Sequence, residues 1–173
     1  MCEQDITLTV YQALKQLDIP YTVTTHEPAA TMQDCAAIEA VIGAPICKNL
    51  FLCNRQQTAF YLLLMPGNKP FKTKYLSEQI GSSRLSFASA EQMQALLHVT
   101  PGSASPFCLL FDPESRIRLL IDRDLLQEPF CGCHPCKNTA TVRIAAQSLL
   151  ENFVPSTGHS YTAVTLPEVL PQE

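Results

Sequence analysis

The stretch Ile46-Cys47-Lys48-Asn49-Leu50-Phe51-Leu52-Cys53, then Asn54-Arg55-Gln56-Gln57, then Ala59-Phe60-Tyr61-Leu62-Leu63-Leu64-Met65 decides the fold. Two β-prone runs of strand length separated by a short polar connection read as a hairpin. The second run is apolar at every position of Phe60-Tyr61-Leu62-Leu63-Leu64. A strand of that kind has both faces covered, so it belongs at the centre of a sheet with other layers above and below.

Upstream, Ile6, Val10, Ala13, Leu14 and Leu17 fall on one face of a 3.6-residue period, which predicts an amphipathic helix ending before Pro20. Tyr21 to Thr25 is β-branched and aromatic and reads as a strand. Thr31 with Asp34 three residues on is a capping signal for a helix that closes near Gly43. Downstream, Lys72 to Ile80 reads as a short helix stopped by Gly81. Ala90 to His98 reads as another, with Met93, Leu96 and Leu97 as its apolar stripe. Strands are expected at Phe107 to Phe111 and Ile117 to Ile121, joined by the turn Asp112-Pro113-Glu114-Ser115. A His- and Cys-rich loop at 131–138 precedes a strand from Thr139 to Ile144, a helix bearing Ala146, Leu149, Leu150 and Phe153, and a last strand near Tyr161 to Thr165.

Helices and strands mix here without strict βαβ alternation. The expected fold class is therefore α/β, a single compact domain with a mixed, largely antiparallel sheet surrounded by helices. One domain over 1–173 with a short polar tail after Pro167 fits a chain of 173 residues that is 46% apolar and only 16% charged. No run approaches the roughly 18 apolar residues of a membrane span. The start, Met1-Cys2-Glu3-Gln4-Asp5, is acidic where a secretory signal is basic and then apolar, so a cytoplasmic protein with no membrane partner is expected. In that compartment the eight cysteines are read as reduced thiols. A net charge of −4 argues against a general nucleic-acid-coating protein, so any RNA contact must be local.

Three stretches carry candidate chemistry. In the first, Lys48 stands between Ile46 and Leu50 on one side of its strand, where an amine is costly unless it meets an anion. A lysine whose stem merely snorkels from a sheet edge is the plainer alternative. In the second, Thr100-Pro101-Gly102-Ser103-Ala104-Ser105-Pro106-Phe107 is a turn with free backbone N–H groups suited to an ester carbonyl or a phosphate, or else an ordinary helix-to-strand connection. The third, Gly132-Cys133-His134-Pro135-Cys136-Lys137-Asn138-Thr139-Ala140-Thr141, holds a histidine next to a proline that stiffens the loop. Cys131, Cys133, His134 and Cys136 crowd into six residues with no second ligand pair beyond them, so no metal centre is expected from this set. No G-x-S-x-G elbow is present, and neither Ser103 nor Ser105 has a sequence-defined base.

Four segments in this order, Lys48-Asn49-Leu50-Phe51-Leu52, Arg84-Leu85-Ser86-Phe87-Ala88-Ser89, Gly102-Ser103-Ala104-Ser105-Pro106-Phe107 and His134-Pro135-Cys136-Lys137-Asn138-Thr139-Ala140-Thr141, are similar to the prolyl-tRNA editing family. Phe153 and Gly158-His159 follow as in that family, and the resemblance spans about residues 20–165. It implies an aminoacyl-tRNA deacylase with no cofactor and no metal, most similar to the branch that clears alanine from tRNA(Pro), with the cysteinyl branch as the alternative. Water would attack the aminoacyl ester with help from the terminal ribose hydroxyl.

The roles that the resemblance implies are Lys48 at the 3′-terminal phosphate or adenosine, Gly102 and Ser103 as backbone donors to the ester, and Asn49, His134, Pro135 and Asn138 around the aminoacyl group. Lys69, Lys72, Lys74 and Arg84 form the one local concentration of positive charge and are candidate tRNA contacts, or a solvated helix face. The implied partners are the acceptor end of tRNA(Pro), not DNA, and a prolyl-tRNA synthetase. Cys131, Cys133 and Cys136 depart from the family's apolar loop positions. Two readings of other classes stand beside this one: a non-catalytic module for tRNA ends or amino acids, and a thiol or metal protein built on Cys131 to Cys136.

Overall fold

A computed structural model describes residues 2–29 and 31–170. The end of the expected polar tail, 171–173, lies outside them.

Helix α1 (Glu3–Gln16) leads into β1 (Tyr21–Thr25) and α2 (Met32–Ile42). Thr31 caps α2: its Oγ1 accepts from the Asp34 N–H at 3.1 Å, and Asp34 Oδ2 accepts from the Thr31 N–H at 3.0 Å. Gly43 closes the helix at φ 67°. Strands β2 (Cys47–Cys53) and β3 (Phe60–Pro66) form the expected antiparallel hairpin. Then come α3 (Thr73–Ile80), β4 (Ser86–Phe87), α4 (Ala90–Leu97), β5 (Ile117–Asp122), β6 (Phe130–Cys133), β7 (Ala140–Ala145) and β8 (Tyr161–Val164). Between β7 and β8 a helical segment, 146–156, contains a π-helical turn at Leu149–Phe153. Among the described residues no helix is long and apolar enough to cross a membrane.

The strand pairing is mixed and largely antiparallel as expected, but it is divided over two sheets. One has the order β1-β7-β6, and the other β4-β2-β3-β5-β8. β3 lies at the centre of the larger sheet, antiparallel to β2 and parallel to β5. Its alternate side chains feed two cores. Leu62 and Leu64 pack with α1, α4 and the helical segment 146–156, whereas Tyr61, Leu63 and Met65 pack with Leu76 of α3, Leu85 and Val164. Burial on both faces is why this strand shows no polar alternation.

The sheets are joined where Ile46 bridges Gly132 in parallel and the Gly132 N–H donates to the Pro45 carbonyl at 2.8 Å. A Cβ at Gly132 would stand 2.7 Å from Ile42 Cδ1 and 3.0 Å from Thr141 Cγ2, so a larger residue would force these side chains to shift.

Two expectations are corrected. Phe107 to Phe111 is not a strand: Pro106–Phe111 is a 3₁₀ helix. Ser105 Oγ accepts from the Phe107 N–H at 3.2 Å, and Pro106 stands in the first turn, where its missing N–H costs nothing. The segment 131–138 is loop only from His134 onward, since Phe130–Cys133 pairs with β7. The two-residue strand β4 and a 3₁₀ turn at Arg123–Gln127 carry no periodicity and escaped the sequence reading.

Candidate functional site

A cavity of about 440 Å³ opens where the start of β2 meets α2, the turn after β3, the loop after α4 and the loop after β6. Lys48, Asn49, Gly102 and His134 all line it, although they come from three separate parts of the chain. The opposing wall is formed by α2 and the segment before it, through Ala29, Ala36 and Glu39.

Lys48 is half-buried, and its Nζ donates to the Lys69 carbonyl at 3.2 Å. An ammonium has three donors, so this contact holds the side chain in place and leaves capacity for an anion. Asn49 donates from Nδ2 to the Cys47 carbonyl at 3.1 Å, while its Oδ1 is buried without a partner among the described residues. A buried acceptor left unpaired is costly, and a ligand donor would satisfy it. Gly102 has φ 91°, a backbone region that favours glycine. Its N–H has no acceptor among the described residues.

His134 Nδ1 lies 2.8 Å from the Ala140 carbonyl, which can only accept, so Nδ1 carries the proton and neutral His134 presents Nε2 as an acceptor. Burial depresses its pKa, and the neighbouring His26, 6.1 Å away between ring centres, adds to that against the raising effect of the Ala140 carbonyl. His26 in turn contacts Thr141 Oγ1 at 2.7 Å.

Other sequence-predicted residues are placed differently. Ser103 is buried, its N–H donates to the Thr100 carbonyl at 3.1 Å, and it lines a separate small cavity with Ile6, His98 and Cys136. That turn leaves no Ser103 backbone donor for an ester. Pro135 is buried, and its carbonyl accepts from Thr7 Oγ1 of α1 at 3.1 Å, so it anchors the loop from behind. Asn138 stands beside Gly102, with Nδ2 3.9 Å from the position of a Cβ there.

The basic group does not form one patch. Lys69 is buried, with Nζ 2.8 Å from Asp122 Oδ2 and 3.0 Å from Asp124 Oδ2, and is corrected from a tRNA contact to an internal ion pair. Burial opposes its charge, but the two carboxylates more than offset that and raise its pKa. Lys72 and Lys74 are exposed at the start of α3. Arg84 is exposed just before β4, which pairs with the end of β2 remote from Lys48.

Glu39 was missed by the sequence reading. Its Oε1 accepts from the Ile46 N–H at 2.9 Å, tying α2 to the start of β2. The available signal was a lone acid in the otherwise apolar run Cys35-Ala36-Ala37-Ile38-Glu39-Ala40-Val41-Ile42. The four-ligand crowd of Cys131, Cys133, His134 and Cys136 is not assembled. Cys136 Sγ contacts Cys108 Sγ at 3.3 Å, and Cys131 and Cys133 gather with Cys47 instead.

The aminoacyl-tRNA editing domain family matches residues 26–151. The prolyl-tRNA editing protein ProX of Acetoanaerobium sticklandii is 32% identical over 164 residues, which are 95% of this chain and 99% of the relative. Prolyl-tRNA synthetase associated domain-containing protein 1 of Danio rerio is 27% identical over 158 residues, 90% of this chain and 85% of the relative. A solved structure described as a candidate trans-editing enzyme for prolyl tRNA synthetase superposes with a TM-score of 0.70 at 20% identity, covering 95% of this chain and 98% of its own.

Proposed function

Because the chain belongs to the aminoacyl-tRNA editing domain family, we propose that it is a trans-editing deacylase that removes alanine wrongly attached to tRNA(Pro). The observation that supports this reading best is the meeting of Lys48, Asn49, Gly102 and His134 around one cavity of about 440 Å³.

The cavity wall combines small apolar groups, Ala29, Ala36 and Ala104, with a few polar ones. That composition suits an aminoacyl group with a methyl side chain. Lys48, with spare donor capacity at the rim, pairs with the phosphate of the terminal nucleotide. The unpartnered Asn49 Oδ1 receives the α-ammonium, and the Gly102 N–H polarises the ester carbonyl. Water adds to that carbonyl carbon, the bond to the ribose oxygen breaks, and the leaving oxygen takes the proton, assisted by the neighbouring ribose hydroxyl. The protein contributes position and polarity and no nucleophile of its own.

Such an enzyme has a physical rationale. A synthetase pocket built for proline discriminates against the smaller alanine by only about 1–3 kcal/mol, so a second sieve is required. A prolyl-tRNA synthetase is the natural partner at the acceptor end.

The test is deacylation of Ala-tRNA(Pro), Cys-tRNA(Pro), Pro-tRNA(Pro) and Ala-tRNA(Ala) by the native protein. Hydrolysis of the first alone is the expected result. Hydrolysis of the cysteinyl ester alone would move the protein to the cysteine-specific branch, and hydrolysis of none would leave a binding module.

A further inference from the structure

Cys47, Cys131 and Cys133 place their three sulfur atoms within 4.8 Å of one another, and all three residues are buried. The grouping follows from the strand geometry. Positions 131 and 133 alternate along β6 and so share a face, and the parallel bridge between Ile46 and Gly132 sets the start of β2 beside them. No carboxylate or imidazole joins the cluster among the described residues. Cys108 and Cys136 contact each other elsewhere, and Cys2 and Cys35 are not part of it.

We propose that Cys47, Cys131 and Cys133 form a binding site for one thiophilic divalent cation of the zinc class. An all-sulfur donor set selects soft or borderline ions over magnesium or calcium. Zinc–sulfur bonds of about 2.3 Å in tetrahedral geometry put sulfurs about 3.8 Å apart, so no pair of thiols needs to close by more than about 1 Å.

Cys47 also lines the main cavity, which would supply an entry path, and water or another small ligand would complete the fourth coordination position. On binding, three S–H bonds are replaced by three S–metal bonds, three protons pass to solvent, and the site keeps one net negative charge. No oxidant or reductant takes part. The ion would tie the start of β2, which carries Lys48 and Asn49, to the end of β6, which leads into His134. Two walls of the cavity would then move as one.

The site is independent of the deacylase reading, because its test reads metal and not hydrolysis. Reduced protein in which Cys2→Ser and Cys35→Ser remove the more accessible thiols is titrated with Cd²⁺ against a competing chelator. The expected result is a sulfur-to-cadmium absorption band that saturates at one equivalent per chain, persists in Cys108→Ala and is lost in Cys131→Ala/Cys133→Ala. Absence of a saturating band, or its survival in the double variant, would overturn the proposal. Zinc-edge X-ray absorption of protein with all eight cysteines, loaded with one equivalent of zinc, needs no substitution. Three sulfur neighbours are expected there, and a shell of oxygen and nitrogen would overturn the site.

Discussion

Lys48 and Lys69 are joined by a hydrogen bond from the Lys48 ammonium to the Lys69 backbone carbonyl, 3.2 Å long, while the Lys69 ammonium is itself held by Asp122 and Asp124. One lysine at the cavity is thus positioned by the backbone of another that is locked into the protein by a buried ion pair. The sequence reading marked Lys48 for the site and Lys69 only as a tRNA contact, and the fold makes Lys69 the internal support of Lys48.

Lys69→Met should destabilise the protein by about 3–5 kcal/mol, because Asp122 would stay buried with its charge uncompensated. Urea unfolding monitored by circular dichroism measures this. A loss below about 1 kcal/mol would mean that Asp122 is hydrated and the pair is not a structural anchor.

Lys48→Ala should do the reverse. Its side chain makes one hydrogen bond among the described residues, so stability should change by about 1 kcal/mol or less. On the deacylase reading kcat/KM on the aminoacylated tRNA should fall by about 10- to 100-fold, the scale of losing one charge-assisted hydrogen bond to the terminal phosphate. Parallel unfolding curves and single-turnover deacylation separate the two effects. A large loss of stability with unchanged kcat/KM would remove Lys48 from the site.

Asp112 sets an acid limit on stability. Burial by itself would raise its pKa. Hydrogen bonds from His159 at 2.9 Å and from the N–H groups of Ile117 and Arg116 together hold it below the ordinary carboxylate value. A pKa lower in the folded state means that the stabilisation is fully present above the unfolded value, about 3.9, and is lost as pH falls from there through the folded value. The urea midpoint should therefore fall in that acid window, and Asp112→Asn should flatten this limb while lowering stability near neutral pH. An unaltered acid limb in the variant would assign the effect to other groups.

Gly132→Ala should destabilise by about 1–3 kcal/mol, as overpacking does when neighbours cannot withdraw. The new methyl would meet Ile42 Cδ1 at 2.7 Å and Thr141 Cγ2 at 3.0 Å. Trimming the neighbour in Gly132→Ala/Ile42→Val should recover part of the loss. A neutral single variant would show that the sheet junction is loose.

Much of the fold was legible because it is written in local chemistry. The spacing of Ile6, Val10 and Leu14, the Thr31–Asp34 cap and the positive φ at Gly43 and Gly81 act within a few residues. The error at Phe107 to Phe111 shows the limit of that reading. Apolar residues in a short run suit a strand or a buried helical turn equally, and the choice fell to Ser105 and Pro106 at its start.

By itself the sequence determined the order and type of most elements and marked Lys48, Gly102 and His134, because backbone propensity, capping and short motifs are properties of neighbouring residues, and the family resemblance added Asn49. Only the tertiary structure decided that Lys69 is buried against Asp122, that the Ser103 amide is taken up by Thr100, and that Cys47 joins Cys131 and Cys133. Those outcomes depend on which distant strands lie side by side. The bridge between Ile46 and Gly132 links residues far apart in the chain, and no periodicity in either segment encodes it.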